Sequence, residues 1–414
     1  MSEQDMIAIA AEQRPAGPAS LGALFLTFLK IGSIAFGGGF MALISVVQNY
    51  AVERRKWLRQ EDMLDGISLA TILPGPVAVN VVAYVGYKVR GWRGAVACVI
   101  GVVLPSFLLM LALSYVYFRY GQMPAVGKLF MGFLPAIAAI ILTAAWNMSS
   151  KSIKGVPEAL IALSAFGLLV GVGGFYITVA IIAGAGLAGW VVFHGAAPPP
   201  APGESAGPGP ARESTKVKTT GKQFGALVAG PVASSAPFLG LNMALTGKLF
   251  VTFAGMSVLL FGGGYVFIPL MQNSVVDGYG WVTRQEFIDG IALGQVMPGP
   301  ILISAAFIGY KVAGFSGAAA ATAGIFTPPA IVMLVCTRFF ERIKQSGTVK
   351  AAMRGIRSGV IGMITAAAVV VLRSAQPNWV SPVIFGAGLL ALLRFKVETA
   401  WIIPIAGVAG LLLY

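Results

Sequence analysis

The sequence predicts an all-α integral membrane protein built from two homologous halves. Three observations lead there. Hydrophobic residues fill 57% of the 414 positions and charged residues only 11%, against roughly 25% charged in soluble chains. Apolar runs long enough for a spanning helix, which needs about 20 residues, recur along the chain, as at 96–117, 159–193 and 314–335. A set of short motifs also occurs twice in the same order. The runs are continuous rather than alternating, which argues against a β-barrel.

The duplication is explicit in the residues. Phe36-Gly37-Gly38-Gly39 returns as Phe261-Gly262-Gly263-Gly264, and Gln48-Asn49 as Gln272-Asn273. Trp57 matches Trp281, Asp65-Gly66-Ile67 matches Asp289-Gly290-Ile291, and Pro74-Gly75-Pro76 matches Pro298-Gly299-Pro300. Gly86-Tyr87-Lys88 returns as Gly309-Tyr310-Lys311, and Gly91, Gly94 and Pro105 as Gly314, Gly317 and Pro328. The spacing between copies drifts by only two residues over the whole set. Such order identifies an internal repeat. The expected organisation is an N-terminal tail (1–20), a first repeat (21–194), a linker (195–243) and a second repeat (244–414). The linker is rich in Pro, Gly, Ala and Ser and carries Arg212, Lys216, Lys218 and Lys222, a flexible composition.

Each half reads alike. A long first segment (21–47; 246–271) is interrupted by the glycine triplet. Two short helices follow, at about 61–73 and 77–87 and at 285–297 and 301–310, joined at Pro-Gly-Pro. Each is too short to span, so together they read as a re-entrant hairpin, and four further spans complete the half. Five spans are an odd number, which inverts the second half relative to the first. Basic residues agree with that inversion under the positive-inside rule. Arg54, Arg55, Lys56 and Arg59, then Lys88, Arg90 and Arg93, then Lys151 and Lys154 fall on one face, taken as cytoplasmic. In the second half Arg284 alone precedes the hairpin, while Arg338, Arg342, Lys344 and Lys350, then Arg394 and Lys396, fall inside. Both termini then lie outside.

The net charge of +14 is explained by these loops and does not point to nucleic acid. Cys98 and Cys336 lie in apolar runs and read as buried free thiols. With one histidine, His194, no transition-metal site or other cofactor is expected. The start of the chain is polar and acidic (Glu3, Asp5, Glu12), unlike a cleaved signal peptide. No phosphate loop, nucleophile elbow or triad occurs, so no enzyme activity is expected.

The residues that suggest chemistry cluster at the breaks. Proline and glycine interrupt a helix, and Pro76 and Pro300 suit the first turn of the next one. The free N–H groups of Val77, Ala78 and Val79, and of Ile301, Leu302 and Ile303, would then face the membrane centre. Helix N-termini bind anions, and paired broken helices mark transport sites. The candidate anion site therefore comprises Gly37, Gly38, Gly39, Pro74, Gly75 and Pro76 with Gly262, Gly263, Gly264, Pro298, Gly299 and Pro300. Ser33, Thr71, Asn80, Gln295 and Ser304 add hydrogen-bonding groups nearby. Lys30, within the first span, and the matched Lys88 and Lys311 are candidate charge partners, against simple snorkelling at helix ends. Asp65 and Asp289 are candidate proton carriers, since ionisable groups in a membrane segment default to function.

The string Ile34-Ala35-Phe36-Gly37-Gly38-Gly39, followed by Trp57, Asp65-Gly66, Pro74-Gly75-Pro76 and Gly86-Tyr87, resembles the chromate transporter family, in its two-domain, long-chain form. The resemblance is strong over 21–113 and 246–334. It implies chromate efflux across a bacterial inner membrane, driven by a proton gradient, with sulfate as the structural mimic. Uptake or exchange of sulfate or another oxyanion, and a passive anion channel, are the alternatives. The lipid bilayer is the surrounding partner, and a homodimer is an open option. The second copy lacks equivalents of Lys30, Ser33 and the basic cluster at 54–59, so the halves need not contribute equally.

Overall fold

A computed structural model describes residues 19–34, 39–120, 124–194, 243–261, 267–339, 346–373, 378–397 and 399–414. Among these the regular structure is helical throughout. The first half contains α1 (Leu21–Ile34), α2 (Gly39–Gln48) with a π-helical extension Asn49–Arg54, α3 (Gln60–Ile72), α4 (Val77–Tyr120), α5 (Pro124–Ser152), α6 (Val156–Gly171) and α7 (Phe175–Phe193). The second half repeats the order with α8 (Met243–Val258), α9 (Phe267–Gln272) with a π-helical extension Asn273–Gly278, and α10 (Arg284–Val296). A 3-10 turn Ile301–Ile303 leads into α11 (Ser304–Thr337), followed by α12 (Gly347–Arg373), α13 (Val380–Leu393) and α14 (Thr399–Leu413). The expected tail lies outside the described residues apart from 19–20, and the linker outside them apart from its last residue, Met243.

Among the described residues, five helices are long and apolar enough to cross a membrane, namely Val77–Tyr120, Gly127–Ser150, Tyr176–Phe193, Ile301–Thr337 and Gly347–Leu372. Five shorter apolar helices join them, giving five in each half once the hairpin arms α3 and α10 are set aside. The outer surface suits lipid. Leu26, Leu163, Leu187, Ile405 and Leu412 are all exposed, as are Trp92, Trp146, Trp379 and Trp401. Exposed aliphatic side chains of this number would be costly in water, and tryptophan favours the membrane–water interface.

Both long helices contain a sharp reversal at the same place. Arg90 and Gly91 take φ/ψ of −146/30° and 62/−157°, and Ala313 and Gly314 take −144/31° and 58/−143°. The positive φ favours glycine at Gly91 and Gly314. The reversal brings Gly86 onto the backbone of Gly94, and Gly309 onto that of Gly317, with no room for a Cβ at either. Thus the first part of α4 and of α11 is the second arm of the hairpin, and the remainder is a span. Within each hairpin the arms meet through another glycine. The Tyr84 ring lies on Gly66 and the Phe307 ring on Gly290, which accounts for the repeated Asp-Gly pair.

The halves are interleaved. Helix α12 of the second half packs on α6 and α7 of the first, and α5 of the first packs on α13 and α14 of the second. Helices α5 and α12 touch each other, as do the long helices α4 and α11. Each half's last two helices therefore complete the core of its counterpart.

Candidate functional site

The two breaks have nearly identical backbone geometry. Helix α3 stops because Leu73 turns extended (φ −80°, ψ 152°), and α10 stops because Met297 does the same (φ −80°, ψ 153°). Gly75 and Gly299 then take φ of 107° and 103°, which side chains rarely tolerate. The flanking prolines contribute no donor, so helix cannot run through. The chain re-enters helix differently in the two halves. At the first break the Asn80 N–H reaches the Pro76 carbonyl at 3.0 Å, an α-helical start that leaves Val77, Ala78 and Val79 as the leading N–H groups. At the second, the Ile303 N–H donates to the Pro300 carbonyl at 3.0 Å within a 3-10 turn. One of the three N–H groups expected to be free there is thus already bonded.

Each break is gripped by the opposite half. The Gly75 N–H donates to the carbonyl of Leu260 at 2.5 Å, just before the second glycine triplet. A Cβ on Gly75 would strike the ring of Pro329. Reciprocally, a Cβ on Gly299 would strike the hydroxyl of Ser106, which donates to the Pro298 carbonyl at 2.7 Å. Ser106 and Pro329 directly follow the matched prolines Pro105 and Pro328. The glycines thus admit the neighbouring half, where the sequence suggested close approach by a ligand.

Titratable groups surround the breaks at different depths. Asp289 is only 3% exposed. Its two oxygens accept from the Tyr117 hydroxyl at 2.6 Å and the Gln285 amide at 2.8 Å. Tyr117 belongs to α4, so this carboxylate too is held across the halves. The Tyr117 ring is itself part of an aromatic cluster with Phe118, Phe130, Phe307 and, through Phe118, Tyr310. Asp65, its counterpart, is half-buried. Lys88 pairs with Asp62 at 3.4 Å and Lys311 with Glu286 at 2.8 Å, so both lysines tie the second hairpin arm to the start of the first. Lys30 and Ser33 are exposed on α1, and the Ser33 hydroxyl bonds the Leu29 carbonyl at 2.9 Å.

The small polar residues lie at the breaks as expected, though mostly engaged with local backbone. The Asn80 amide donates to Pro74 O at 3.0 Å, Ser304 to Ile301 O at 2.9 Å, and Thr71 to Ser68 O at 2.8 Å. Among the described residues, Asn80 Oδ1 and Gln295 Nε2 are buried without a partner. Gly39 opens α2. Gly37, Gly38, Gly262, Gly263 and Gly264 lie outside the described residues. No group of three or more potential metal ligands occurs among the described residues.

Sequence reasoning missed several groups. Ser106 and Tyr117 carried no signal, because only the packing of α4 on the second hairpin gives them a role. Arg354 and Arg357 did carry one, as ionisable residues inside a span. They escaped notice because the apolar stretch of α12 begins only after Ser358. Arg354 donates to Glu158, itself 1% exposed, and its guanidinium lies 4.0 Å from the Phe193 ring centroid. Arg357 reaches the Thr71 carbonyl at 3.5 Å.

A duplicated helical membrane protein with paired helix breaks, each locked into the opposite half, belongs to the class of multi-pass membrane transporters. The chain matches the chromate transporter family over residues 22–190 and 247–411 and belongs to that family. It is 30% identical over 394 residues to the chromate transport protein of Cupriavidus metallidurans, covering 94% of this chain and 92% of that one. It is likewise 30% identical over 404 residues to the chromate transport protein of Pseudomonas aeruginosa, covering 96% and 93%. An uncharacterized transporter of Bacillus subtilis aligns over 133 residues at 32% identity, covering 32% of this chain but 74% of its own. A length equivalent to one half therefore also occurs as a shorter chain. No solved structure matches.

Proposed function

We propose that the chain is a secondary active transporter that exports chromate across the bacterial inner membrane in exchange for protons. The reciprocal grip on the two breaks is the observation that carries this reading. It brings the Pro-Gly-Pro of each half against the long helix of its counterpart, which supports a site formed by leading helix ends from the two halves. Inverted halves would then place both ends near the bilayer midplane, related by a pseudo-two-fold axis in the membrane plane. Chromate is a tetrahedral dianion, for which backbone N–H groups at a helix N-terminus are suitable donors. The names of the two full-length relatives support chromate as the substrate.

Asp289 supports proton coupling. It is a buried carboxylate that two neutral donors hold in place, with no cation among its hydrogen-bonding partners in the described residues, which leaves its protonation responsive to charge brought into the site. Asp65 would serve the first half in the same way.

The test is transport by membrane vesicles of known orientation with an imposed pH gradient. Chromate should accumulate in inside-out vesicles, with sulfate and molybdate as weaker competitors, and a protonophore should abolish accumulation. Accumulation only in right-side-out vesicles would make the protein an importer. Flux that merely equilibrates chromate, unaffected by the protonophore, would make it a channel.

A further inference from the structure

Helix α12 carries two arginines one turn apart within a buried, membrane-crossing segment, and the structure treats them differently. Arg354 is neutralised by Glu158 of α6. Arg357 has no carboxylate within ion-pairing distance among the described residues. Its only hydrogen bond there is a long one, 3.5 Å, to the carbonyl of Thr71. That carbonyl belongs to the last turn of α3, directly before Pro74-Gly75-Pro76. A helix C-terminus offers about half a unit of negative charge, which leaves a substantial part of the guanidinium charge uncompensated. Four of its five N–H donors are also free of any partner among the described residues. Arg357 is part-buried, and a cation held partly out of water is costly without an anion beside it.

The duplication separates a structural role from a binding role. Gly355 packs on Ala185 and Gly189 of α7 just as Gly132 packs on Ala406 and Gly410 of α14. That register pairs Arg357 with Leu134, which is 2% exposed. Helix α5, which packs on the hairpin arm α10, thus carries a leucine where α12 carries Arg357. The fold does not require a cation there.

We propose that Arg357 is the side chain that binds the translocated oxyanion, at the break of the first half. This rests on the reading of the chain as an oxyanion transporter and names the residue that recognises the substrate. A guanidinium presents parallel N–H donors to two oxygens of one tetrahedral anion, which the point charge of a lysine does not. Arg357 and the N-terminus of the helix beginning at Val77 then act on the same ligand from two elements.

The experiment compares wild type, Arg357→Gln and Arg357→Lys in oriented vesicles, alongside thermal unfolding of the purified proteins with and without chromate, sulfate or molybdate. Arg357→Gln should raise KM for chromate about 10- to 100-fold, the loss expected for a charge-assisted hydrogen bond. It should also lose the oxyanion-dependent rise in unfolding temperature. Arg357→Lys should recover only part of either. An arginine that merely caps α3 would give the opposite result, a lower unfolding temperature without ligand at unchanged KM, and would overturn the proposal. Should the glutamine variant not reach the membrane, the lysine variant decides by the same comparison of KM. A wild type that moves no chromate defeats the transport reading alone. Stabilisation by any of the three oxyanions, lost in Arg357→Gln, would then still support the site, and its absence from the wild type would reject it.

Discussion

Replacing Gly299 with alanine tests the interlock between the halves. The new Cβ meets two obstacles. The backbone sits at φ 103°, where a residue with a Cβ costs about 1–3 kcal/mol. The Cβ also falls on the Ser106 hydroxyl, which must move and give up its 2.7 Å bond to the Pro298 carbonyl. Leaving that buried carbonyl unpaired costs about 1–3 kcal/mol more. The total is about 2–6 kcal/mol, a large share of the 5–15 kcal/mol that typically stabilises a domain. Ser106→Ala alone should cost only the second part. Because Gly299→Ala already breaks the hydrogen bond, the double variant should resemble Gly299→Ala rather than the sum, the non-additivity expected of residues in contact. Thermal unfolding in detergent, with transport rate per inserted molecule, measures both effects. Strict additivity, or wild-type stability in Gly299→Ala, would show that the second break does not rest on α4.

Asp65→Asn and Asp289→Asn should leave substrate binding largely intact and flatten the dependence of transport on the pH gradient, with the larger effect at the more deeply buried Asp289; an unchanged dependence in both would remove the aspartates from proton coupling. Single cysteines at Gln60 and Arg284 should react with membrane-impermeant reagents from opposite faces, whereas labelling from one face would dismiss the inverted arrangement. Glu158→Gln should destabilise the protein by about 3–5 kcal/mol, the range for a buried ion pair that loses one partner, and Glu158→Gln with Arg354→Met should regain much of it; equal stability of the two variants, measured by unfolding in detergent, would deny the pair its role.

Much of the fold was legible because backbone geometry has a strict sequence signature. Gly75, Gly299, Gly91 and Gly314 sit at positive φ, so both copies retain glycine, and the flanking prolines mark where helix must end. The hairpin arms, the five apolar helices in each half and the position of the breaks could therefore be read from residue types alone. Contacts between halves could not. Gly75 looked like a place for a ligand to approach, and only the packed structure fills that space with Pro329. Lys88 and Lys311 looked like charge partners for an anion, yet a carboxylate one hairpin arm away meets each of them. Arg357 stood in plain view, but the hydropathy of α12 rises only beyond it, so the sequence pattern assigned it no role. The glycine triplets, the other half of the expected site, lie mostly outside the described residues.

The two copies share their backbone-shaping residues and differ in several of the side chains around them. Glycines and prolines at the breaks and reversals are matched, because each half must fold into the same hairpin and grip its counterpart. Asp65 and Asp289, and Lys88 and Lys311, are matched as well, whereas several other polar groups around the breaks have diverged. Thr71 faces Gln295 in the alignment of the halves, Asn80 faces Ser304, Arg357 faces Leu134, and Lys30 faces Gly255. A ligand bound at each half separately would favour the same donors in both. One anion bound between the halves needs its charge met only once, and a second part-buried cation opposite Arg357 would add desolvation cost for no further substrate charge. Divergence of such side chains on a matched backbone is what the proposed single site between duplicated halves would allow. On that proposal, the greater share of recognition falls at the break where Arg357 meets α3.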